Sequence, residues 1–330
     1  MSDRVSGGHG LVADIGGTNV RFALAPLDRP GPLVAQRDGP LADFPNPAAA
    51  VRAYLDLASP AEAPRAAMFA VAAPVDGDDV RMVNGHWRFS LAETRRSLGL
   101  DRLHALNDFA ANAWAMAELD PDDLLGIGGP LADPRAIGSF AVLGAGTGLG
   151  VGGLQRDARG RLTIVATEGG HIGFAPLDAE EDALLVRLRA RFGRLSYERL
   201  LSGSGLTLLH DLLGGDGENV VPEEVIRLAA AGDAAAKRAV DLFCAILGSF
   251  AGDVALLHGA WNGVYLAGSM INALSDPLAN GEFRRRFEAK GRYAQRLAAI
   301  PTAIVLQPAS GLLGAAAALR DKLRDEGRAG

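Results

Sequence analysis

Cysteine and lysine are both scarce in this chain. Among its 330 residues there is one cysteine, Cys244, and the lysines are Lys237, Lys290 and Lys322. A lone cysteine excludes an internal disulfide and any zinc site built from several cysteines. Because it lies in the apolar stretch AVDLFCAIL, we expect Cys244 in the core. No lysine stands in a Gly-Lys-Ser/Thr sequence, so a P-loop nucleotide site is excluded.

The chain also lacks an excess of positive charge. Its net charge is −6, with 48% hydrophobic and 22% charged residues, which is typical of a soluble globular protein. Such a chain has no general electrostatic attraction to nucleic acid or to anionic membranes. We therefore expect neither as a partner.

Long apolar runs are missing as well. The richest segment, residues 239–257, contains Asp241 and Asp253, and we expect no membrane span there. The first ten residues, MSDRVSGGHG, are polar and have no hydrophobic core of a signal peptide. We predict a flexible leader over residues 1–10 and a cytoplasmic location.

Glycine is abundant, and two glycine-bearing stretches share one design. Residues 11–25 read LVADIGGTNVRFALA, and residues 140–154 read FAVLGAGTGLGVGGL. Each is an apolar strand, a glycine turn with a threonine, and a second apolar strand. Backbone N–H groups and a threonine hydroxyl at such turns can hold phosphate oxygens. Asp14, in the first copy, can hold the metal of a nucleotide. The pair indicates an ATP-dependent phosphotransferase.

A dinucleotide site is the competing interpretation of the second stretch. Residues 148–153, GLGVGG, formally match the GxGxxG pattern. That pattern should open a helix and be followed about 20 residues later by an acidic residue for a ribose. The acidic residue at that distance, Glu168, belongs to a different motif, so the match is set aside.

Strand-like and helix-like patterns alternate along the chain, which indicates an α/β fold. We predict a small domain over residues 11–118 and a large domain over 119–310, with the C-terminal helix at 311–326 packed on the small domain. Besides the two glycine hairpins and a hairpin within 76–90, strands are predicted at 66–73, 102–107, 161–166, 262–267 and 303–307. Helices are predicted at 47–58, 91–98, 109–118, 180–192, 196–202, 205–213, 222–230, 233–257 and 311–325.

Several polar residues could carry chemistry, and each also has an ordinary structural role. Asp108 opens the helix at 109–118, where it could be an N-cap or an ionised carboxylate favoured by the helix dipole. Glu168 and His171 lie in a glycine loop and could bind a ligand or serve as structural hydrogen-bonding groups. Glu198 would complement the dipole of a helix capped by Ser196.

Two further features are left open at this point. The Asn107 amide can both donate and accept, which suits a hydroxyl ligand. A polar and aromatic loop with Asn84, His86 and Trp87 either lines a ligand cleft or is a plain loop.

Seven motifs, in this order, resemble those of the bacterial glucokinases, members of the hexokinase–actin ATPase superfamily. They are DIGGTN (14–19), LNDFAANAWA (106–115), GAGTGLGV (144–151), TEGGHIGFAP (167–176), SYERLLSG (196–203), VYLAGS (264–269) and PASGLLGAAA (308–317). The resemblance covers residues 11–320. It implies a two-domain actin-like ATPase fold, of the ribonuclease H-like kind, with an interdomain cleft. The related branch of sugar kinases and repressors usually has a zinc-binding cysteine cluster, which one cysteine cannot supply.

The resemblance also implies an activity, ATP-dependent phosphorylation of the glucose 6-hydroxyl, with Mg²⁺ and a homodimeric enzyme. Asp108 would be the general base, and Asp14 would hold Mg²⁺ through water. The implied sugar contacts are Asn107, Asp108, Glu168, His171 and Glu198. The implied nucleotide-site residues are Asp14, Gly16, Gly17, Thr18, Asn19, Gly144, Gly146, Thr147, Gly148, Gly268 and Ser269.

The chain departs from the family pattern at a few positions. Gly173 stands where the family often has Asp, and Ser204 where it often has Pro; the loop Ala267-Gly268-Ser269 has fewer glycines than usual. A kinase for another hexose, mannose or fructose, therefore stays as an alternative. A sugar-sensing regulator without turnover is a second alternative, but the sequence shows no basic helix-turn-helix extension.

Overall fold

The computed structural model describes residues 8–82, 85–215 and 220–329 of the chain. The chain divides into two compact units. The first comprises the segment up to Leu119 together with the C-terminal segment from Ala309, and the second is Asp120–Pro308. Asn84, named above as part of a polar loop, lies outside the described residues.

The strands are short and mostly apolar. In chain order they are β1 (His9–Ile15), β2 (Asn19–Pro26), β3 (Val34–Pro40), β4 (Ala66–Val71), β5 (Asp79–Arg81), β6 (Arg88–Ser90), β7 (Arg102–Asn107), β8 (Leu124–Gly128), β9 (Gly138–Ala145), β10 (Leu149–Arg156), β11 (Leu162–Thr167), β12 (Gly263–Leu266) and β13 (Thr302–Val305). Because β1 begins at His9, His9 and Gly10 belong to a strand, and their assignment to a flexible leader is wrong.

The helices differ widely in length. They are α1 (Pro47–Ala58), α2 (Leu91–Leu98), α3 (Asp108–Ala115), α4 (Ala179–Phe192), α5 (Gly203–Leu212), α6 (Pro222–Ala230), α7 (Ala234–His258), α8 (Ser269–Ala273), α9 (Ser275–Asn280), α10 (Phe283–Glu288), α11 (Ala294–Ala298) and α12 (Ser310–Ala329). Short 3₁₀ turns occur at Leu41–Asp43, Pro121–Asp123, Gly169–His171 and Gly291–Tyr293.

The sheet of the first unit has the strand order β3-β2-β1-β4-β7. The three strands β1, β2 and β3 pair antiparallel, whereas β4 pairs parallel with both β1 and β7. β4 (AAMFAV) is buried along its whole length, as expected for a strand covered on both faces. One face packs under α12, which joins a core cluster with Val12, Met68 and Leu319.

The sheet of the second unit repeats this order. Its strands run β11-β10-β9-β12-β13-β8, with β9, β10 and β11 antiparallel and β12 parallel to both β9 and β13. β8 adds an antiparallel edge strand. Each unit therefore places a glycine hairpin, β1–β2 or β9–β10, beside a buried parallel strand.

Helix α7 is the core helix of the second unit. It has 25 residues with a mean hydropathy of 1.8 over its most apolar window, so by length and composition it could cross a membrane. The expectation that no apolar run approaches a membrane span is therefore wrong on those two criteria. However, 78% of that window is buried inside the protein, as in the core helix of a folded domain. Residues of α7 such as Leu247 and Phe250 belong to the large hydrophobic cluster of the second unit.

One predicted helix, at 196–202, is absent from the structure. Ser196 instead forms an isolated bridge with Gly173, and residues 198–200 form a turn. The Tyr197 amide donates to the Ile172 carbonyl, and the Glu198 amide donates to the Gly170 carbonyl. Residues 197 and 198 are thus held by another segment, and the local bonds that follow, from the amides of residues 199–201 to the carbonyls of residues 196 and 197, form only a turn. Glu198 is thus not near the start of a helix.

Candidate active site

The first glycine hairpin is a tight turn between β1 and β2. The Gly16 amide donates to the Asn19 carbonyl oxygen at 2.9 Å, which closes the turn. The side chains of Thr18 and Asn19 are exposed at its tip, where the Asn19 amide nitrogen lies 3.3 Å from Thr18 Oγ1. The turn therefore presents a hydroxyl and an amide group to a ligand, as a phosphate-binding hairpin requires.

Asp14 lies at the end of β1, next to this turn. Its carboxylate Oδ2 accepts a hydrogen bond from Arg21 Nη1 at 3.1 Å, and its side chain is 19% exposed. Burial raises the pKa of Asp14, and the Arg21 guanidinium opposes that rise. Gly311, in the first turn of α12, packs directly on the carboxylate, because a Cβ there would lie 2.9 Å from Asp14 Oδ2.

The second candidate group of the first unit is at the start of α3. Asn107 is the N-cap, and its Oδ1 accepts from the Phe109 and Ala110 amides at 2.9 and 3.3 Å. The N-cap interpretation of Asp108 is therefore wrong, since Asp108 is the first helical residue. Its Oδ1 lies 2.9 Å from the Phe109 amide, at the positive end of the helix dipole.

Helix α12 brings α3 and Asp14 to the same part of the first unit. Ser310 Oγ donates to Asn112 Oδ1 at 2.7 Å, and Asn112 is one helical turn after Asp108. Three residues after Gly311, Gly314 packs so closely on α3 that a Cβ there would overlap the Ala111 carbonyl oxygen. Nothing local in the sequence signals these contacts, which join segments about 200 residues apart.

The second glycine hairpin has a shorter turn than the first, with three residues between its paired strands where the first has four. The Gly146 amide donates to the Gly148 carbonyl oxygen at 2.9 Å, and the Gly146 carbonyl accepts from the Gly203 amide at 2.7 Å. Thr147 is exposed at the tip, and Gly144 lies just before it in β9. Since β10 is a strand, no helix opens at residues 148–153, as a dinucleotide fingerprint would require.

Gly268 and Ser269 lie beside this hairpin. β12 pairs with β9, and Gly268 follows β12 close to the hairpin, since a Cβ there would lie 3.4 Å from the Ala145 carbonyl oxygen. Ser269 begins α8 and is exposed. The second unit therefore brings together all the nucleotide-site residues predicted in it.

Glu198 and His171 meet next to the same hairpin. Glu198 Oε2 accepts from the Leu149 amide at 3.1 Å, and Glu198 Oε1 lies 3.6 Å from His171 Nδ1. Glu168 is exposed immediately before the 3₁₀ turn that carries His171. In the second unit, three polar side chains that can bind hydroxyl groups therefore lie near the second glycine hairpin: Glu168, His171 and Glu198. The contact of Glu198 with the hairpin was not predicted.

His86 and Trp87 have a structural role. Trp87 Nε1 donates to the Phe44 carbonyl oxygen at 2.9 Å, and His86 Nε2 lies 3.0 Å from the same oxygen. Trp87 is 2% exposed, so its ring belongs to the core of the first unit. Of the two interpretations of this loop, the structure supports the plain one for Trp87, whereas the His86 side chain is exposed.

Two α/β units, each with a glycine hairpin in the same position of a mixed sheet, define a two-domain fold of the actin-like ATPase class. Comparisons with known proteins agree with this class.

The family model described as Glucokinase matches residues 11–322. The chain is 44% identical over 324 residues to a glucokinase of Stenotrophomonas maltophilia (strain K279a), covering 96% of both chains. This chain belongs to the glucokinase family.

Solved structures show the same likeness. A crystal structure of a glucokinase from an Antarctic psychrotroph superposes with a TM-score of 0.83 at 33% identity, covering 95% of this chain and 99% of that one. The glucokinase of Balamuthia mandrillaris, solved in complex with glucose, has a TM-score of 0.80 at 22% identity, covering 96% and 95%. At that identity the second likeness supports the fold alone.

Proposed function

We propose that this protein transfers the γ-phosphoryl group of ATP to the 6-hydroxyl of glucose. The observation that carries the proposal is the contact between Glu198 and the second glycine hairpin. It places polar side chains suited to a sugar directly beside a turn suited to phosphate oxygens. The names of the relatives, glucokinases at 44% identity over nearly the whole chain, support the same activity.

Each unit would supply part of the machinery. In the first unit, Asp108 would accept the proton of the 6-hydroxyl as its oxygen attacks the γ-phosphorus, and Asn107 would bind a sugar hydroxyl. In the second unit, Glu168, His171 and Glu198 would bind further hydroxyls. Catalysis of phosphoryl transfer is mainly positioning and electrostatic stabilisation, so rigid placement of these groups matters more than covalent chemistry.

The nucleotide would be held by the two hairpins. Gly16, Gly17, Thr18 and Asn19 in the first hairpin, and Gly144, Gly146, Thr147 and Gly148 in the second, present amides and hydroxyls for phosphate oxygens. Gly268 and Ser269 would bound the adenosine.

Mg²⁺ is compatible with the groups present. Asp14 is a partly exposed carboxylate, and Mg²⁺ prefers oxygen ligands and keeps several waters, so one carboxylate and the phosphates suffice. Among the described residues no cluster of three or more His, Cys, Asp or Glu side chains could hold a metal. When bound, the ion would offset phosphate charge in the transition state.

We further propose that the enzyme is a cytoplasmic homodimer. The location rests on the polar first ten residues, which have no hydrophobic core of a signal peptide. The dimer rests on the family resemblance alone, and sedimentation of the purified protein tests it directly.

The activity is tested by coupling glucose 6-phosphate formation to a dehydrogenase. We expect product formation that depends on both ATP and glucose. ATP turnover that does not depend on any hexose, or glucose binding without turnover, would overturn the proposal. The second result would instead support a sugar-sensing protein.

A further inference from the structure

Glu198 uses both of its carboxylate oxygens inside the second unit. Oε2 accepts a hydrogen bond from the Leu149 amide at 3.1 Å, and Oε1 faces His171 Nδ1 at 3.6 Å. The side chain is 31% exposed, so a sugar hydroxyl can still reach it. One side chain therefore contacts the hairpin directly and His171 at the same time.

The fit between Glu198 and the hairpin is close. No side chain fits at Gly148, because a Cβ there would lie 2.6 Å from Glu198 Oε2. Leu149 is the first residue of β10, so its amide is at the point where the turn ends and the strand begins. A carboxylate that accepts from this amide fixes the exit of the turn.

The backbone of Glu198 is itself held in place. Its amide donates to the Gly170 carbonyl oxygen at 2.9 Å, and the preceding Tyr197 amide donates to the Ile172 carbonyl at 3.1 Å. The Tyr197 ring is 2% exposed and packs against Phe250 and Phe174, with ring centroids 4.5 and 5.5 Å away. The carboxylate thus reaches the hairpin from a rigid base.

We propose that Glu198 is a positioning residue for the nucleotide hairpin, in addition to its role as a sugar contact. By accepting from the Leu149 amide it holds residues 146–148 in the shape that binds nucleotide phosphates, before any sugar is bound. This inference rests on the proposed function, because it takes the hairpin as part of the nucleotide site.

The test is the affinity for Mg-AMPPNP, measured calorimetrically in the complete absence of sugar. Loss of a hydrogen bond to a charged group changes an equilibrium constant by about tenfold. We expect Glu198→Ala to weaken Mg-AMPPNP binding by about that factor. A residue that contacts sugar alone would leave this affinity unchanged.

Glu168→Ala is the matched control. Glu168 is also a predicted sugar contact, but among the described contacts it makes no hydrogen bond to the hairpin. We expect Glu168→Ala to lower glucose affinity and to leave sugar-free Mg-AMPPNP affinity within about twofold of wild type.

Two conservative variants separate the hydrogen bond from charge and from folding. Glu198→Gln keeps an acceptor oxygen at the same reach, so it should recover most of the nucleotide affinity. Glu198→Asp keeps the charge but retracts the acceptor from the Leu149 amide, so it should behave like Glu198→Ala. Thermal melting of each variant shows whether the unit is folded; if Glu198→Ala does not fold, the Asp and Gln pair makes the same comparison.

The outcomes separate this inference from the proposed function. Wild-type nucleotide affinity in both Glu198→Ala and Glu198→Asp would overturn the positioning role and leave the kinase activity standing. Equal loss in the Glu198 and Glu168 variants would also overturn it. No Mg-AMPPNP binding by the wild-type protein would overturn both.

Discussion

Asp14 and Arg21 are direct partners across the β1–β2 ladder, and Arg21 Nη1 lies 3.1 Å from Asp14 Oδ2. Opposite charges at facing positions of an antiparallel pair stabilise the register of the hairpin. The same contact favours the ionised form of the carboxylate against the effect of burial, which raises the pKa of Asp14. The pair therefore fixes one carboxylate at the end of β1, beside the first hairpin.

We predict that Asp14→Ala impairs the use of Mg-ATP and spares glucose binding. A group that supports a metal typically contributes about 10–100-fold to metal affinity or activity, so KM for Mg-ATP should rise within that range. Glucose affinity, measured calorimetrically without nucleotide, should hardly change. Arg88→Gln is the control, because it removes an exposed Arg–Asp pair elsewhere in the first unit and should leave both quantities alone. A large loss of glucose affinity in Asp14→Ala would contradict the metal role.

We predict that Asp108→Asn lowers kcat by about 10²–10⁴-fold, the usual contribution of a general base. Asparagine keeps an oxygen that can accept from the Phe109 amide, so the start of α3 should stay intact. It cannot accept the proton of a hydroxyl. Glucose binding should largely survive, which equilibrium titration checks beside the steady-state kinetics. A near-normal kcat would show that Asp108 is not the base.

We predict strong discrimination among hexoses at saturating Mg-ATP. A site of hydrogen-bonding side chains leaves buried polar groups unpaired when a hydroxyl is inverted, which can cost up to about 10⁴–10⁵ in kcat/KM. Glucose should be far better than galactose, whose 4-hydroxyl is inverted. N-acetylglucosamine should also be poor, because its 2-substituent would crowd Glu168 and His171. Mannose is left open, because Gly173 and Ser204 depart from the family pattern. Comparable kcat/KM for glucose and N-acetylglucosamine would contradict this pocket.

We predict that Glu181→Leu destabilises the second unit by up to about 3–5 kcal/mol, because it removes the buried carboxylate beside Arg286 and leaves that charge only the half-exposed carboxylate of Asp178, 3.4 Å away. Glu181 is fully buried and pairs with Arg286, which is 3% exposed and also donates to Ser249 Oγ at 2.9 Å. Urea unfolding measures the change. Glu224→Leu, which removes an exposed pair with Arg227, should shift the midpoint little. Equal shifts in the two variants would show that the buried pair contributes no more to stability than the exposed pair.

Many elements could be predicted from the sequence because their signals are local. The helices at 47–58, 91–98 and 222–230 have the predicted bounds, and the apolar runs on either side of the two glycine turns predicted the observed strands. The edge strands β3 and β8 were missed. Val34–Pro40 is mostly exposed, so its pairing with β2 leaves little apolar pattern to detect.

The candidate site, like the fold, was predicted from the sequence only in part. The motifs alone indicated which residues lie at turns and helix starts, as with Gly16, Thr147 and Asp108. Of the two roles considered for Asp108, the N-cap was wrong, because Asn107, one residue earlier, is an equally good cap and its Oδ1 accepts from two amides.

The sequence by itself determined the family, the α/β alternation and the two glycine turns, since glycine, hydrophobic period and capping groups act over a few residues. The tertiary structure alone decided where distant segments meet: Gly311 on Asp14, Ser310 on Asn112, and Glu198 on the Leu149 amide. It also decided that residues 196–202 form a bridge and a turn and no helix, with the Tyr197 and Glu198 amides bonded to carbonyls of another segment. Such contacts depend on packing of the whole unit, and a propensity summed over neighbouring residues carries no information about them.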